Sequence, residues 1–147
     1  MTIVLQFDGA SKGNPGIGGS AAVLVQNGVV IHSKMYAHKN RVTNNVAEYH
    51  GLIIGLQLAL EKGYTEVSVE GDSKLVIEQV FGTWKCNHKN MIPLCEESKK
   101  LKKLFKSISG RWIPREKNGE ADKYANLAIS SSNKQMTIME AFEKISL

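Results

Sequence analysis

Four carboxylates in this sequence stand where predicted strands end or predicted helices begin. Asp8 closes the first predicted strand and Asp72 ends the fourth. Glu48 and Asp122 each lie in the first turn of a predicted helix. Each acid also has an ordinary structural explanation: a turn residue, a capping box, a helix N-cap, or a charge favoured at a helix N-terminus. For any single one of them, the structural explanation is the more common outcome.

The four acids together predict a site for divalent cations. In open α/β sheets, sites form beyond the strand ends, where loops and helix starts converge. Four carboxylates delivered there could hold two cations about 3.5–4 Å apart. Oxygen ligands of this kind suit Mg²⁺. Without metal, clustered carboxylates repel one another and some must take up protons. Whether the four acids meet depends on the fold.

The elements that would position these acids follow from hydrophobic patterning and turn residues. A strand over Thr2–Phe7 precedes a Gly-rich turn from Asp8 to Gly19, and Asn27-Gly28 predicts a hairpin between the next two strands. Apolar residues on nearly all faces predict a buried helix that Gly63 ends. The further predicted elements are a strand over Thr65–Glu70, a helix to Val80, a helix with Pro93 in its first turn and with Leu94, Leu101, Phe105 and Ile108 on one face, a strand over Arg111–Pro114, and helices over Asn118–Ile129 and Met136–Leu147.

This order of elements predicts an α/β fold. Three opening strands joined by short turns favour antiparallel pairing, whereas the later helical crossovers favour parallel pairing. A chain of 147 residues suits one domain. Two cysteines without a CxxC pair, and the lack of a signal peptide or a long apolar stretch, lead us to expect a cytoplasmic protein that contacts no membrane.

The charge distribution is compatible with a polyanionic partner. The formal net charge is +5, and seven lysines lie between Lys85 and Lys106 against two acids. Such a lysine face could bind phosphates, or it could simply be a solvated helix face. Trp84, just before it, could stack on a sugar or base, although burial in a core is the more common fate of tryptophan.

Two other patterns do not support a site. The glycine-rich stretch from Gly13 to Gly19 lacks a Gly-Lys-Ser/Thr sequence and precedes a strand, so it is not a nucleotide-binding loop. Cys86 and His88 would make half of a zinc site, but no second pair completes it.

Four ordered stretches of the chain resemble type 1 ribonuclease H, in its bacterial, archaeal and plant-like form. The first is Phe7-Asp8-Gly9-Ala10-Ser11-Lys12-Gly13-Asn14-Pro15-Gly16 and the second is Thr43-Asn44-Asn45-Val46-Ala47-Glu48-Tyr49. The third is Gly71-Asp72-Ser73, and the fourth runs from Trp112 through Ile113-Pro114-Arg115 to Ala121-Asp122. Their order and spacing hold from about residue 2 to residue 130, so the signal is highly specific.

The resemblance implies a ribonuclease H-like fold, with a five-stranded mixed sheet and helices on both faces. It implies that residues 1–131 form the ribonuclease H domain and that 132–147 are an amphipathic extension. The implied activity is hydrolysis of the RNA strand of RNA–DNA hybrids with two Mg²⁺ ions (Mn²⁺ is possible), leaving 5′-phosphate and 3′-hydroxyl ends. The implied catalytic and metal-binding residues are Asp8, Glu48, Asp72 and Asp122, and the implied hybrid-binding residues are Gly9, Asn14, Thr43, Asn44 and Asn45. We expect a monomer.

The chain departs from the family pattern in one place near the site. Many members carry a histidine shortly before the last aspartate, whereas residues 110–122 contain none and Arg115, Glu116 and Lys117 occupy that region. We expect a changed rate or metal preference, not a loss of activity. The alternatives are a related nuclease with another substrate preference and a non-catalytic nucleic-acid-binding module. For the C-terminal extension, packing on its own domain is favoured over binding a partner.

Overall fold

The computed structural model describes residues 2–131 of the chain. Its elements are β1 (Ile3–Gly13), β2 (Gly16–Gln26), β3 (Val29–Ala37), α1 (Asn44–Glu61), β4 (Glu66–Gly71), α2 (Lys74–Val80), α3 (Ile92–Lys102), β5 (Ser107–Trp112), a 3₁₀ turn (Arg115–Lys117) and α4 (119–131). The helix predicted over Met136–Leu147 lies outside the described residues. Among the helices of residues 2–131, none has the length and hydropathy required to cross a bilayer.

The strands form one mixed sheet in the order β3-β2-β1-β4-β5. β1 pairs with β2, and β2 with β3, in antiparallel register, whereas β1–β4 and β4–β5 are parallel. Asn27 and Gly28 both have positive φ, as the predicted hairpin turn requires. The predicted five-stranded mixed sheet is therefore confirmed.

Helices cover both faces of the sheet, as predicted. On one face, Ser20 of β2 donates a 2.7 Å hydrogen bond from its hydroxyl to the carbonyl of Ala47 in α1. Successive strand residues point to opposite faces, so Gly19, the neighbour of Ser20 in β2, faces the other side of the sheet. A Cβ added at Gly19 would lie 2.3 Å from the carbonyl oxygen of Ala125 in α4, which shows that α4 covers this second face. The core between α1 and the sheet includes Leu5, Phe7, Leu24, Tyr49, Leu52, Leu56, Val69 and Val76.

α1 is the buried helix that the sequence predicted. Eleven of its 18 residues are buried, which matches the apolar character of nearly all its faces. The helix is followed by Gly63 with a φ of 82°. This left-handed conformation suits a glycine that ends a helix.

The prediction of a turn from Asp8 to Gly19 is wrong. β1 continues to Gly13 and β2 begins at Gly16, so only Asn14 and Pro15 separate the strands. Glycines in this stretch serve close packing, since a Cβ at Gly16 would lie 2.0 Å from the carbonyl oxygen of Lys12. Asp8 consequently lies inside β1, paired with Ala21, and does not close the strand.

The predicted helix around Pro93 is shorter than expected. α3 ends at Lys102, so Phe105 lies in the following turn and Ile108 lies in β5. Phe105 is nevertheless buried, and Ile108 packs against the same core. These two residues are therefore apolar because they pack against the core from the turn and from β5, and not because they belong to one face of α3.

Two side chains bear on points that the sequence left open: Trp84, between α2 and α3, and Lys102, at the end of α3. The side chain of Trp84 is 45% exposed, so the expected burial in the core is wrong. Lys102 donates from Nζ to the carbonyl of Val80 at 3.1 Å and lies over the ring of Phe81. At least this member of the lysine face has a structural role.

Candidate active site

Asp8 and Asp72 are brought together by the parallel pairing of β1 with β4. The last paired residues of this ladder are Phe7 and Gly71. Asp8 and Asp72 directly follow them in sequence, and parallel strands run in the same direction. The two acids therefore lie side by side where the β1–β4 ladder ends. This end of the ladder is the edge where open α/β sheets form their sites.

Glu48 reaches the same edge from α1. Thr43 is the N-cap, and its hydroxyl accepts a hydrogen bond from the amide of Val46 at 3.2 Å. Glu48 thus lies beyond the first turn, so its predicted place in that turn and the capping-box alternative are both wrong. A Cβ at Gly9 would lie only 2.1–2.3 Å from the peptide that joins Ala47 to Glu48. The absence of a side chain at Gly9 lets α1 approach β1 this closely.

Asp72 has no capping role in α2. Ser73 is the N-cap, and its hydroxyl accepts from the amide of Val76 at 3.3 Å. The carbonyl of Asp72 accepts a 3.1 Å hydrogen bond from Nε1 of Trp112, the last residue of β5. The carboxylate of Asp72 is therefore free to face Asp8.

Asp122 lies in α4, and its amide donates to the carbonyl of Asn118 at 3.1 Å. The buried side chain of Asn118 donates from Nδ2 to the carbonyl of Phe7 at 2.8 Å, which joins the start of α4 to β1 beside Asp8. The guanidinium of Arg115 lies 3.8 Å from Oδ1 of Asp122. α4 thereby places Asp122 at the same edge as the other acids.

The carboxylates of Asp8, Glu48 and Asp72 form one cluster. Each offers an oxygen, and these oxygens all lie within 4.8 Å of one another. Asp8 and Glu48 are 4% and 9% exposed, so water does little to relieve their mutual repulsion. Oε2 of Glu48 is buried and has no hydrogen-bond partner. Asp122 is outside this group but lines the same cavity.

The pKa values of the cluster are raised. Burial raises the pKa of Asp8 to about 7; Asp72 and Asp122 add to the effect, and the hydrogen bond with Glu48 opposes it. Burial, together with the carboxyl group of Asp8, raises the pKa of Glu48 well above its ordinary value. Burial also raises the pKa of Asp72, although Asn118 and Arg115 favour its carboxylate. Without metal, the cluster therefore holds protons near neutral pH.

This donor set fits a divalent cation. An oxygen of Glu48 that is buried without a partner lacks compensation for its desolvation. A cation among the three acids would supply that compensation and would replace the protons that burial and repulsion now retain. All the donors are carboxylate oxygens, the ligands that Mg²⁺ prefers.

The cluster lies in an open cavity of about 540 Å³. Of the predicted hybrid-binding residues, Gly9, Asn44 and Asn45 line it. Asn14 and Thr43 do not, but Oδ1 of Asn14 accepts from the amide of Asn44 at 3.0 Å, and Thr43 caps α1. The remaining lining residues are Asp8, Ala10, Ser11, Glu48, Asp72, Ser73, Trp112, Arg115 and Asp122.

Sequence reasoning missed three residues of this site. Trp112 and Arg115 line the cavity, and Asn118 joins β1 to α4 beneath it. A signal was present for the first two, because Trp112 ends the last strand and Arg115 follows it, at the edge where the acids meet. Asn118 was placed only as a helix start, and nothing in its local pattern indicates a contact with Phe7.

Comparisons with known proteins agree with this architecture. The model of the reverse transcriptase-like family matches residues 6–128. A bifunctional protein of Mycobacterium tuberculosis is 42% identical over 136 residues, covering 90% of this chain, and the N-terminal RNase H domain of that protein superposes with a TM-score of 0.85. The chain spans only 36% of the length of that relative.

Two further solved structures are similar over almost their whole length. RNase H1 of the archaeon Halobacterium salinarum is 34% identical, with a TM-score of 0.84, and the match covers 89% of this chain and 99% of that one. LC11-RNase H1, solved in complex with an RNA/DNA hybrid, is 31% identical with a TM-score of 0.83, again over 89% and 99% of the two chains. The chain therefore belongs to the reverse transcriptase-like family, in its ribonuclease H branch.

Proposed function

We propose that this protein hydrolyses the RNA strand of RNA–DNA hybrids and leaves 5′-phosphate and 3′-hydroxyl ends. The observation that carries the proposal is the cluster of Asp8, Glu48 and Asp72 in a cavity that Asn44 and Asn45 also line. The relative solved with an RNA/DNA hybrid supports the choice of substrate.

The acids would hold two divalent cations, Mg²⁺ or Mn²⁺. Asp8, Glu48, Asp72 and Asp122 are the proposed ligands, and the fit of the donor set supports this. Two such ions, when bound, activate the attacking water and stabilise the leaving 3′ oxygen. The burial of Asp8 and Glu48 keeps their side chains in place, so these carboxylates need little reorganisation when the phosphate reacts.

The start of α1 would bind the hybrid. Asn44 and Asn45 offer amide groups, and Gly9 lines the cavity beside them. Thr43 and Asn14 would act by holding this turn, through the N-cap and the hydrogen bond to the amide of Asn44. Amides and small residues suit a shallow minor groove, where the 2′-hydroxyl distinguishes RNA from DNA.

Arg115 would contact a phosphate of the substrate. Its guanidinium is largely exposed, lies beside Asp122 and lines the cavity. A guanidinium matches the geometry of phosphate oxygens. It would supply a positive charge in the region where many relatives carry a histidine.

The test is cleavage of a hybrid whose RNA strand carries a 5′ label, in Mg²⁺ or Mn²⁺, beside RNA and DNA duplexes. We expect only the RNA of the hybrid to be cut, with a 3′ end that a poly(A) polymerase extends. Chelator and Asp72→Asn should abolish cleavage. Glu116→Gln, which removes an exposed acid outside the cluster, is the matched control and should leave it unchanged.

Other outcomes of this assay would contradict the proposal. A hybrid that binds but is cut with neither metal would indicate a non-catalytic binding module. Cleavage of the DNA duplex would indicate a related nuclease of different preference.

We also infer that residues 1–131 form the catalytic domain of a cytoplasmic monomer, with residues 132–147 as a C-terminal extension of it. The family match over 6–128 and the two free cysteines, Cys86 and Cys95, support this inference. Light scattering of the full chain should give the mass of one protomer.

A further inference from the structure

We propose that Ser20 and His38 are positioning residues that hold the peptide before Glu48 and thereby set the geometry of the carboxylate cluster. This proposal rests on the function proposed above. Neither side chain lines the cavity of the acids. Both are buried, Ser20 completely and His38 to 7% exposure.

The hydrogen bonds of Ser20 have a defined direction. Its hydroxyl lies 2.7 Å from the carbonyl oxygen of Ala47 and 2.7 Å from Nε2 of His38. A hydroxyl has one hydrogen, and a carbonyl can only accept. Ser20 therefore donates to Ala47, and His38 must donate from Nε2 to Ser20. This fixes the ring of His38 with its hydrogen on Nε2.

The peptide joining Ala47 to Glu48 contacts two neighbouring strands of the sheet, β1 and β2. Ser20 pairs directly with Gly9 across the β1–β2 ladder. Gly9 is in such close contact with the peptide that a Cβ there would lie 2.3 Å from the amide nitrogen of Glu48. The backbone of Gly9 thus limits the approach of α1, and the hydroxyl of Ser20 keeps α1 from moving away.

The ring of His38 is itself fixed. The main-chain amide of His38 donates a 3.0 Å hydrogen bond to the carbonyl of Gly18, near the start of β2. Its ring lies 4.8 Å from those of Tyr36 and His50, edge-on to both. His50 is in α1, and Tyr36 stacks on it at 6.1 Å. A series of hydrogen bonds and ring contacts therefore connects the end of β3 to α1 through His38 and Ser20.

Loss of these hydrogen bonds would let the Ala47–Glu48 peptide shift. Glu48 would move relative to Asp8 and Asp72, whose oxygens now lie within 4.8 Å of its own. Removing a group that orients a metal ligand commonly costs 10- to 100-fold in metal affinity. We expect the lower end of this range, because Ser20 acts through the main chain.

The experiment measures Mn²⁺ binding to the full-length protein by calorimetry, without hybrid, beside thermal unfolding and kcat and KM. We expect Ser20→Ala to weaken Mn²⁺ binding about tenfold and to lower kcat more than it raises KM. His38→Leu should do the same. His38→Gln keeps an N–H donor near the position of Nε2 and should recover most of the affinity.

Ser98→Ala is the matched control. Ser98 is equally buried, and its hydroxyl donates to a helix carbonyl, that of Leu94, at 2.8 Å, but it lies in α3 and does not line the cavity. It should lower the unfolding temperature without changing Mn²⁺ affinity. If Ser20→Ala behaves in the same way as Ser98→Ala, the proposal is wrong. Equal Mn²⁺ affinities of His38→Gln and His38→Leu would also overturn it.

The two proposals fail in different ways. A chain that binds Mn²⁺ in a Ser20-dependent manner but does not cut hybrids would contradict only the proposed function. A wild-type chain that binds no Mn²⁺ would overturn both.

Discussion

Asn118 Nδ2 donates a 2.8 Å hydrogen bond to the carbonyl of Phe7, the residue that precedes Asp8. The bond joins residues 111 positions apart and is completely buried at Asn118. Oδ1 of the same side chain has no hydrogen-bond partner and is buried as well. The start of α4, and with it Asp122, is thereby held against the strand that carries the first acid.

Asn118→Ala should destabilise the fold and impair the site together. The carbonyl of Phe7 loses its side-chain donor, which costs about 1–3 kcal/mol in a buried place. Asp122 should also lose its fixed distance to Asp8. We expect a lower midpoint in urea unfolding and at least a tenfold lower rate of hybrid cleavage. Ser98→Ala is the control, because its buried hydroxyl also donates to a main-chain carbonyl, that of Leu94, but in α3 and outside the cavity of the acids.

Glu48→Gln should separate stability from activity. The substitution removes a buried carboxyl group whose pKa is raised by burial and by Asp8. In chelator at pH 8, where the cluster loses protons, the variant should be more stable than the parent by roughly 0.5–2 kcal/mol. Cleavage in Mg²⁺ should be lost. If Glu48→Gln in chelator at pH 8 unfolds at a lower temperature than the parent protein, the acid cluster does not reduce the stability of the fold.

Metal binding should weaken as the pH falls through about 7. The pKa of Asp8 is raised to about 7, and those of Glu48 and Asp72 are raised too, so protons compete with the cation below that pH. If one proton is displaced per ion, each pH unit below 7 should reduce the apparent affinity about tenfold. Calorimetry in buffers of different ionisation enthalpy measures the released protons directly. Affinity that is constant from pH 5.5 to 8 would contradict the raised pKa values.

The same pKa shifts predict the sign of a stability change. A carboxyl group with a raised pKa binds more protons in the folded than in the unfolded state between its ordinary pKa and its folded one. Its contribution therefore favours folding at low pH and is lost as the pH rises through about 7. The increase in unfolding temperature caused by Mg²⁺ should consequently be larger at pH 8 than at pH 5.5.

Arg115→Ala should reduce activity at little cost in stability. The pair with Asp122 is 3.8 Å apart, and the guanidinium is 80% exposed, so its stabilising effect is at most about 1 kcal/mol. We expect a lower kcat and weaker hybrid binding, with an unfolding temperature close to that of the parent. Lys117→Ala removes a neighbouring exposed cation that does not line the cavity. If both variants lose activity equally, the loss reflects the removal of a positive charge near the site, and Arg115 makes no specific contact with the phosphate.

The lysines at the end of α3 and directly after it provide a test of substrate binding. Lys99, Lys100 and Lys103 are the ones to change to glutamine, because Lys102 is bonded to Val80. If they contact phosphates, hybrid affinity should fall and the slope of its logarithm against that of salt concentration should decrease by about one per contact. An unchanged slope would mean that these residues form a solvated face.

Much of the local structure and the identities of the acids could be predicted from the sequence. The buried α1 was visible because its apolar residues cover nearly every face, and the Asn27-Gly28 hairpin was visible because only certain residues accept positive φ. The four acids could be named from the resemblance of the stretches around them. Their suggested local roles failed, since Thr43 and Ser73 cap the helices and Asp8 lies within β1.

The way in which these parts meet could not be predicted from the sequence. Periodicity and turn chemistry are local, whereas the ladder that sets Asp8 beside Asp72 joins residues far apart in the chain. The same holds for the contact of Gly9 with the peptide before Glu48, which depends on how closely α1 packs on the sheet. Burial raises the pKa of Asp8 to about 7 because surrounding atoms exclude water, a property that belongs to the packed molecule and not to any segment of the sequence.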